Sequence, residues 1–185
     1  MQGPARCQLY LVAPANLPED FATILAGVLE AAEIACLRLP PRLGMERLVR
    51  LAQGRGTAVV IEGDPDLAAA LGADGVHLPD LKTYGAARGR LGHDAIIGVS
   101  CGRSRHDAME AGEAGADYVA FAADLELVRW WAELMLVPVV AELESLGQAA
   151  EFAATGAEFI GLGDALWHDP AGAPAAARIM SMLLR

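Results

Sequence analysis

The chain is punctuated by short apolar runs that do not alternate with polar residues. Five of them are Gln8-Leu9-Tyr10-Leu11-Val12, Ile34-Ala35-Cys36-Leu37-Arg38, Ala58-Val59-Val60-Ile61, Ala95-Ile96-Ile97-Gly98-Val99-Ser100 and Pro138-Val139-Val140-Ala141. Runs of this kind mark strands buried on both faces, as in a parallel sheet. Three more runs each follow a Gly-Ala-acid triplet. They are Gly72-Ala73-Asp74-Gly75-Val76-His77-Leu78, Gly115-Ala116-Asp117-Tyr118-Val119-Ala120-Phe121 and Gly156-Ala157-Glu158-Phe159-Ile160-Gly161-Leu162. Together they predict eight strands, recurring about every twenty residues.

The intervals carry a helical period. His106 to Ala114 places Ala108, Ala111 and Ala114 on one face, a narrow stripe suited to close packing on a sheet. Asp66 to Leu71 and Leu146 to Ala154 read the same way. Gly72, Gly115 and Gly156 fall where helices end, and glycine there supplies a left-handed turn into the next strand. Strand–helix alternation with short connections predicts a parallel sheet with right-handed crossovers. Eight such units favour closure into a (β/α)8 TIM barrel, a compact one, since most run to about 250 residues. A doubly wound open sheet is the alternative. No linker, charge block or low-complexity run divides residues 1–185, so a single domain is expected. Pro170-Ala171-Gly172-Ala173-Pro174 reads as a local helix break.

Composition narrows the partners. Apolar residues make up 54% of the 185 and charged residues 21%, which excludes intrinsic disorder. The net charge of −10 disfavours phosphate backbones and anionic lipid, so neither nucleic acid nor a membrane surface is an expected partner. Mean hydropathy is +0.33, yet no run reaches the ~18–20 uncharged apolar residues that span a bilayer. The stretch from Met1 to Asn16 lacks a signal-like apolar core and reads as the lead into a first strand. Cys7, Cys36 and Cys101 form neither a disulfide framework nor a CxxC metal site, so a reduced, cytoplasmic setting is expected.

In a barrel of this kind chemistry sits on the loops after the strands. Gly161-Leu162-Gly163-Asp164 is a candidate anion site at a helix start, with a plain turn capped by Asp164 as the alternative. Glu62, Asp64, Asp66, Asp80, Glu142 and Glu144 could meet at one mouth to hold Mg²⁺ or move protons. Alternatively Asp64 and Asp66 cap one helix, and Glu142 and Glu144 begin another. His77 is either a base or a hydrogen-bonded structural residue. Cys101 reads as structural, and Trp130-Trp131 as packing residues, with one of them at the interface of a homodimer.

Leu9-Tyr10-Leu11-Val12, Gly72 through Leu78, Ile97-Gly98-Val99-Ser100, Gly115 through Ala120, and Gly156 through Pro170 resemble, in the same order, segments of thiamine phosphate synthases and the related TenI proteins. The resemblance spans nearly the whole chain. It implies a (β/α)8 barrel and a reaction that joins a pyrimidine diphosphate to a thiazole phosphate, with Mg²⁺, releasing diphosphate. TenI proteins instead act as thiazole tautomerases.

Carried over, the family's Gln-Leu-Arg-Asp-Lys falls on Cys36-Leu37-Arg38-Leu39-Pro40, which keeps only the arginine. Its Asn-Asp pair falls on Glu62-Gly63, and its Gly-Gln-Asp-Asp stretch on Pro79-Asp80-Leu81-Lys82. Ser100 matches a family serine. The Thr-Lys loop that grips diphosphate is replaced by Asp124-Leu125-Glu126-Leu127, and the TenI histidine falls on Ala123. The Gly-Gly that receives the thiazole phosphate falls near Leu143-Glu144. Diphosphate transfer needs a cation and cationic donors. The resemblance thus implies a thiamine phosphate synthase-like protein of thiamine biosynthesis with a degenerate active site. Arg38, Ser100, Gly161 and Gly163 would bind a small phosphorylated molecule. No catalytic residue or metal ligand is assigned, and Mg²⁺ enters only with the family reaction. The alternative is a non-catalytic or repurposed paralogue that binds a phosphorylated small molecule or a protein partner.

Overall fold

The computed structural model describes residues 7–184. Met1–Arg6, and with them the start of the stretch leading into the first strand, lie outside the described residues. Eight parallel strands close into one barrel in sequence order: β1 (Gln8–Val12), β2 (Ile34–Leu39), β3 (Ala58–Glu62), β4 (Gly75–Leu78), β5 (Ile96–Gly102), β6 (Tyr118–Ala122), β7 (Val139–Leu143) and β8 (Phe159–Leu162). The helices between them are α1 (Phe21–Ala31), α2 (Glu46–Gln53), α3 (Pro65–Leu71), α4 (Tyr84–Leu91), α5 (Arg105–Ala114), α6 (Leu125–Leu134) and α7 (Ala149–Ala153), and after β8 come α8 (Asp164–Trp167) and α9 (Ala173–Leu183). The closed barrel, not the open sheet, is the architecture.

Each triplet that signalled a strand has a mechanical role. Asp74 donates its backbone N–H to the Val59 carbonyl at 2.8 Å and accepts the Val59 N–H on its carboxylate at 2.7 Å. Asp117 repeats the arrangement on Ile97, at 2.9 and 2.8 Å. The Glu158 carboxylate accepts from the Val139 N–H at 3.0 Å. An acid at the foot of β4, β6 or β8 thus pairs a backbone donor near the foot of the strand before it. A backbone donor left unpaired there would cost about 1–3 kcal/mol. Gly72 and Gly115 cap α3 and α5 at φ 66° and 94°, a region other residues rarely adopt.

Helix details depart from expectation in three places. The α5 stripe buries Ala108 and Ala111, but Ala114 is exposed in the last turn. The segment expected to be helical from Leu146 splits into a 3-10 turn (Leu146–Gln148), opened by a Ser145–Gln148 capping box, and α7. Asp64 caps α3 by accepting from the Leu67 N–H at 2.8 Å, whereas Asp66 pairs with Arg90 across the surface.

The strands bury two different faces. Leu9, Leu11, Leu37, Leu39, Val59, Ile61, Val76, Ile97, Val99, Val119, Phe121, Val139, Ala141, Ile160 and Leu162 join one continuous core with the helices. Tyr10, Cys36, Val60, Tyr118, Ala120 and Val140 form a separate cluster inside the barrel. Partnered strand residues share a face, so the pairings Cys36↔Ala58, Arg38↔Val60, His77↔Gly98, Ser100↔Ala120 and Glu142↔Gly161 place all of these inward too. Gly98 makes room there: a Cβ would lie 1.9 Å from the Tyr118 ring.

Candidate site at the barrel mouth

A hydrogen-bonded chain of inward side chains runs along the barrel interior. The Tyr10 and Tyr118 hydroxyls are 2.8 Å apart. The Tyr118 oxygen lies 2.9 Å from His77 Nδ1, and His77 Nε2 lies 2.7 Å from Arg38 Nη1. The same Nη1 donates to Glu142 Oε1 at 2.7 Å. The direction of the chain follows from chemistry. Arginine only donates, so Nε2 accepts; a neutral His77 then carries its proton on Nδ1 and donates to Tyr118.

Burial sets the protonation states. It pushes His77 well below its ordinary 6.5, and the neighbouring Arg38 charge acts the same way, so the ring is neutral near pH 7. Burial works against the Arg38 charge, but the Glu142 carboxylate together with the Tyr10 and Tyr118 hydroxyls more than offsets it, and Arg38 stays protonated. Both tyrosine hydroxyls are raised well above 10, chiefly by burial. Burial pushes the Cys36 and Cys101 thiols up to about 12 and Cys7 up to about 11, so these are not nucleophiles near neutrality.

The residues expected at the site divide between two places. Arg38 and Gly161 both lie at Glu142: Arg38 through its ion pair, Gly161 through strand pairing. Gly161 is buried and tightly packed, since a Cβ would stand 3.0 Å from Val140 and 3.3 Å from the Ala141 carbonyl. Ser100 is half-buried on β5, one inward step above Gly98. Gly163 sits at the rim as the N-cap of α8. Asp164 is therefore the first residue of α8 and not its cap, since no side chain caps this helix. Beside it a cavity of about 520 Å³ lies between the β1–α1 loop and α8, lined by Pro14, Asn16, Phe21, Asp164, Trp167 and His168.

Glu142 does not begin a helix. It belongs to β7 and points into the barrel because the inward parity of Val140 continues two residues on. Glu144 is exposed in the turn before Ser145. His77 is the buried structural residue, hydrogen-bonded at both ring nitrogens. Trp131 is a core residue whose Nε1 donates to the Val137 carbonyl at 2.7 Å, and Trp130 is half-buried under Arg105, 4.5 Å from its ring centroid. The apolar surface near them falls on Leu134 and Leu136 instead, 65% and 101% exposed.

The carboxylates do not gather as a metal centre at this mouth. Glu62 is exposed at the end of β3, Asp80 accepts from the Lys82 backbone at 2.9 Å and its side chain at 3.3 Å, and Glu142 is committed to Arg38. Among the described residues the three metal-type donors that do come together are His106, Asp107 and Glu110, exposed on α5. No helix among the described residues is long and apolar enough to cross a membrane.

Comparisons with known proteins place this barrel. A family model described as thiamine monophosphate synthase matches residues 9–166. The thiamine-phosphate synthase of Rhodospirillum centenum is 39% identical over 203 residues, covering 97% of this chain and 98% of the relative. That of Hyphomonas neptunium is 36% identical over 207 residues, covering 96% and 94%. Among solved structures, a thiamine phosphate pyrophosphorylase from Pyrococcus furiosus is similar with a TM-score of 0.85 over 98% of this chain and 96% of that one. Its 23% identity shows the fold alone. The same holds for an orotidine 5'-phosphate decarboxylase from Pyrococcus horikoshii, at TM-score 0.74 and 17% identity over 95% of this chain and 99% of that one.

Proposed function

Because the chain belongs to the thiamine-phosphate synthase and TenI family, we propose that its barrel mouth binds a phosphorylated thiamine precursor, with the family's diphosphate-releasing transfer strongly weakened. Arg38, Ser100, Gly161 and Gly163 are the binding residues of this reading. The observation that carries it is the ion pair between Arg38 and Glu142 at 2.7 Å. Arg38 is the one cation left of the motif matched at β2, and it already holds a carboxylate.

Diphosphate departure requires charge to be neutralised as it develops. Mg²⁺ would supply that neutralisation in the family reaction, but the donors present do not fit it: Gly63 and Lys82 stand where the family pattern carries carboxylates, and Asp80 is held by Lys82. The chain's own residues orient rather than react. His77 fixes the guanidinium and Tyr118 fixes His77. Losing a single preorganised charge stabiliser costs about 10²–10³ in kcat.

Purified protein mixed with pyrimidine diphosphate, thiazole phosphate and Mg²⁺ tests the reading. We expect thiamine phosphate at least about 100-fold more slowly than from a working synthase, with thiazole phosphate or pyrimidine diphosphate binding seen by calorimetry. A rate equal to the control overturns the degenerate site. Absence of binding for both precursors removes the ligand and leaves the repurposed paralogue with a protein partner. A homodimer through the surface of Leu134 and Leu136 is the assembly expected here, and light scattering checks it.

A further inference from the structure

Glu142 stands where an anionic ligand of Arg38 would stand, and we propose that it is a built-in competitor that sets this site against anions. The inference rests on the mouth being the substrate site and names what governs access to it.

Three observations combine. First, the guanidinium is only partly used. Nη1 makes both of its side-chain contacts, while Arg38 Nε is buried with no hydrogen-bond partner. Arginine forks favour acceptors that engage two N–H groups in parallel, and Glu142 engages one nitrogen through one oxygen. A phosphate or diphosphate group offers more acceptor oxygens than a carboxylate and could engage the two terminal nitrogens, Nη1 and Nη2, in parallel. Second, the two partners differ in freedom. The Arg38 side chain is 9% exposed and pinned by His77, whereas the Glu142 side chain is 30% exposed at the open end of β7. The carboxylate can swing into water; the guanidinium cannot. Third, the neighbours of Glu142 on its strand and across it are Ala141, Leu143, Ala122 and Gly161, so its one polar side-chain contact here is Arg38. An anion reaching Arg38 must expel Glu142 and bear its repulsion.

Removing the competitor should reveal the anion site. We would titrate inorganic diphosphate, without metal, into the wild-type protein and into Glu142→Gln, Glu142→Ala and Arg38→Met/Glu142→Gln by calorimetry. The expected result is at least fivefold tighter binding in both single variants and no gain in the double variant. A smaller gain, or a gain that survives Arg38→Met, overturns the proposal. Glu142→Gln leaves a buried guanidinium without a counter-charge and lowers the melting temperature; saturating diphosphate should then raise it more than in the wild type, because a ligand stabilises the state that binds it. If neither single variant folds, Glu142→Asp keeps the charge, shortens its reach and must still show tighter binding than wild type. Precursor titrations with wild type separate the two readings. A diphosphate gain in the variants without precursor binding keeps the competitor and sinks the substrate site. Precursor binding without that gain sinks the competitor alone.

Discussion

The two faces of the barrel wall are built on opposite principles. Outward, toward the helices, the wall is an aliphatic shell: Leu37, Val59, Ile61, Val76 and Val119 are fully buried and make no polar demand. Inward it carries Tyr10, Arg38, His77, Tyr118 and Glu142, whose side-chain hydrogen bonds run to one another while Arg38 Nε stays unpaired. The outer face stabilises by area and volume, at roughly 25 cal/mol per Å² of apolar surface buried. The inner face stabilises through directional contacts whose loss leaves a buried polar group stranded. The outer face is thus where mutation should change stability alone, and the inner face where stability, ionisation and ligand preference move together.

The largest expected effect breaks the outer face. Leu37→Ala removes a fully buried side chain and should cost about 2–5 kcal/mol in denaturant unfolding. It should leave the diphosphate response of Glu142→Gln intact; a loss of that response would mean the two faces are coupled. Next comes overpacking of the inner face. Gly98→Ala drives a methyl into the Tyr118 ring and should cost about 3 kcal/mol, the upper end of the usual overpacking range. A neutral outcome would show that the Tyr118 ring moves freely.

Tyr118→Phe tests the polar chain without changing the packing. It strands the His77 Nδ1–H and removes the partner of the Tyr10 hydroxyl, at about 1–3 kcal/mol. With Tyr10→Phe added, the double variant should lose less than the sum of the two, because one bond is shared. Additive losses would contradict the shared contact.

The finest effect is one of slope. The folded-state pKa of His77 is depressed below 6.5, so the unfolded chain takes up the proton first. Its contribution is complete above pH 6.5 and is lost as pH falls from there toward the folded value. We expect the melting temperature to drop below pH 6.5 and His77→Gln to flatten that drop. An amide can still accept from Arg38 and donate to Tyr118. An unchanged slope would locate the sensitivity elsewhere.

The same division explains what could be read from sequence. The outer face is written locally: β-branched runs such as Val59-Val60-Ile61 announce strands buried on both sides, and the Gly-Ala-acid triplets mark where strands begin. Eight strands follow from these signals, and with the helical intervals between them they favour closure over an open sheet. The inner chain is not local. Its contacts join residues 39, 41, 104 and 108 positions apart, so Arg38, His77 and Glu142 were visible as candidates but not as partners. For Glu142 the sequence leaves two readings open, a carboxylate at the mouth and a helix start, because acids favour helix N-termini. Only the inward parity of Val140, two residues earlier, pointed otherwise. Asp164 misled in the same way, since Gly163 took the cap.

The pairing of β1 with β8 closes the ring. Seven of the eight strand pairs join neighbours in sequence, while this one brings Gln8 to Phe159 and Leu11 to Leu162, with the Trp167 indole donating to the Val12 carbonyl at 2.6 Å. Closing a long loop costs entropy that no nearby contact repays in advance. The ring therefore has a seam, and the seam sets the order of assembly. Until it shuts, both edge strands stand open, and closure is expected late in folding, when the rest of the wall is already in place.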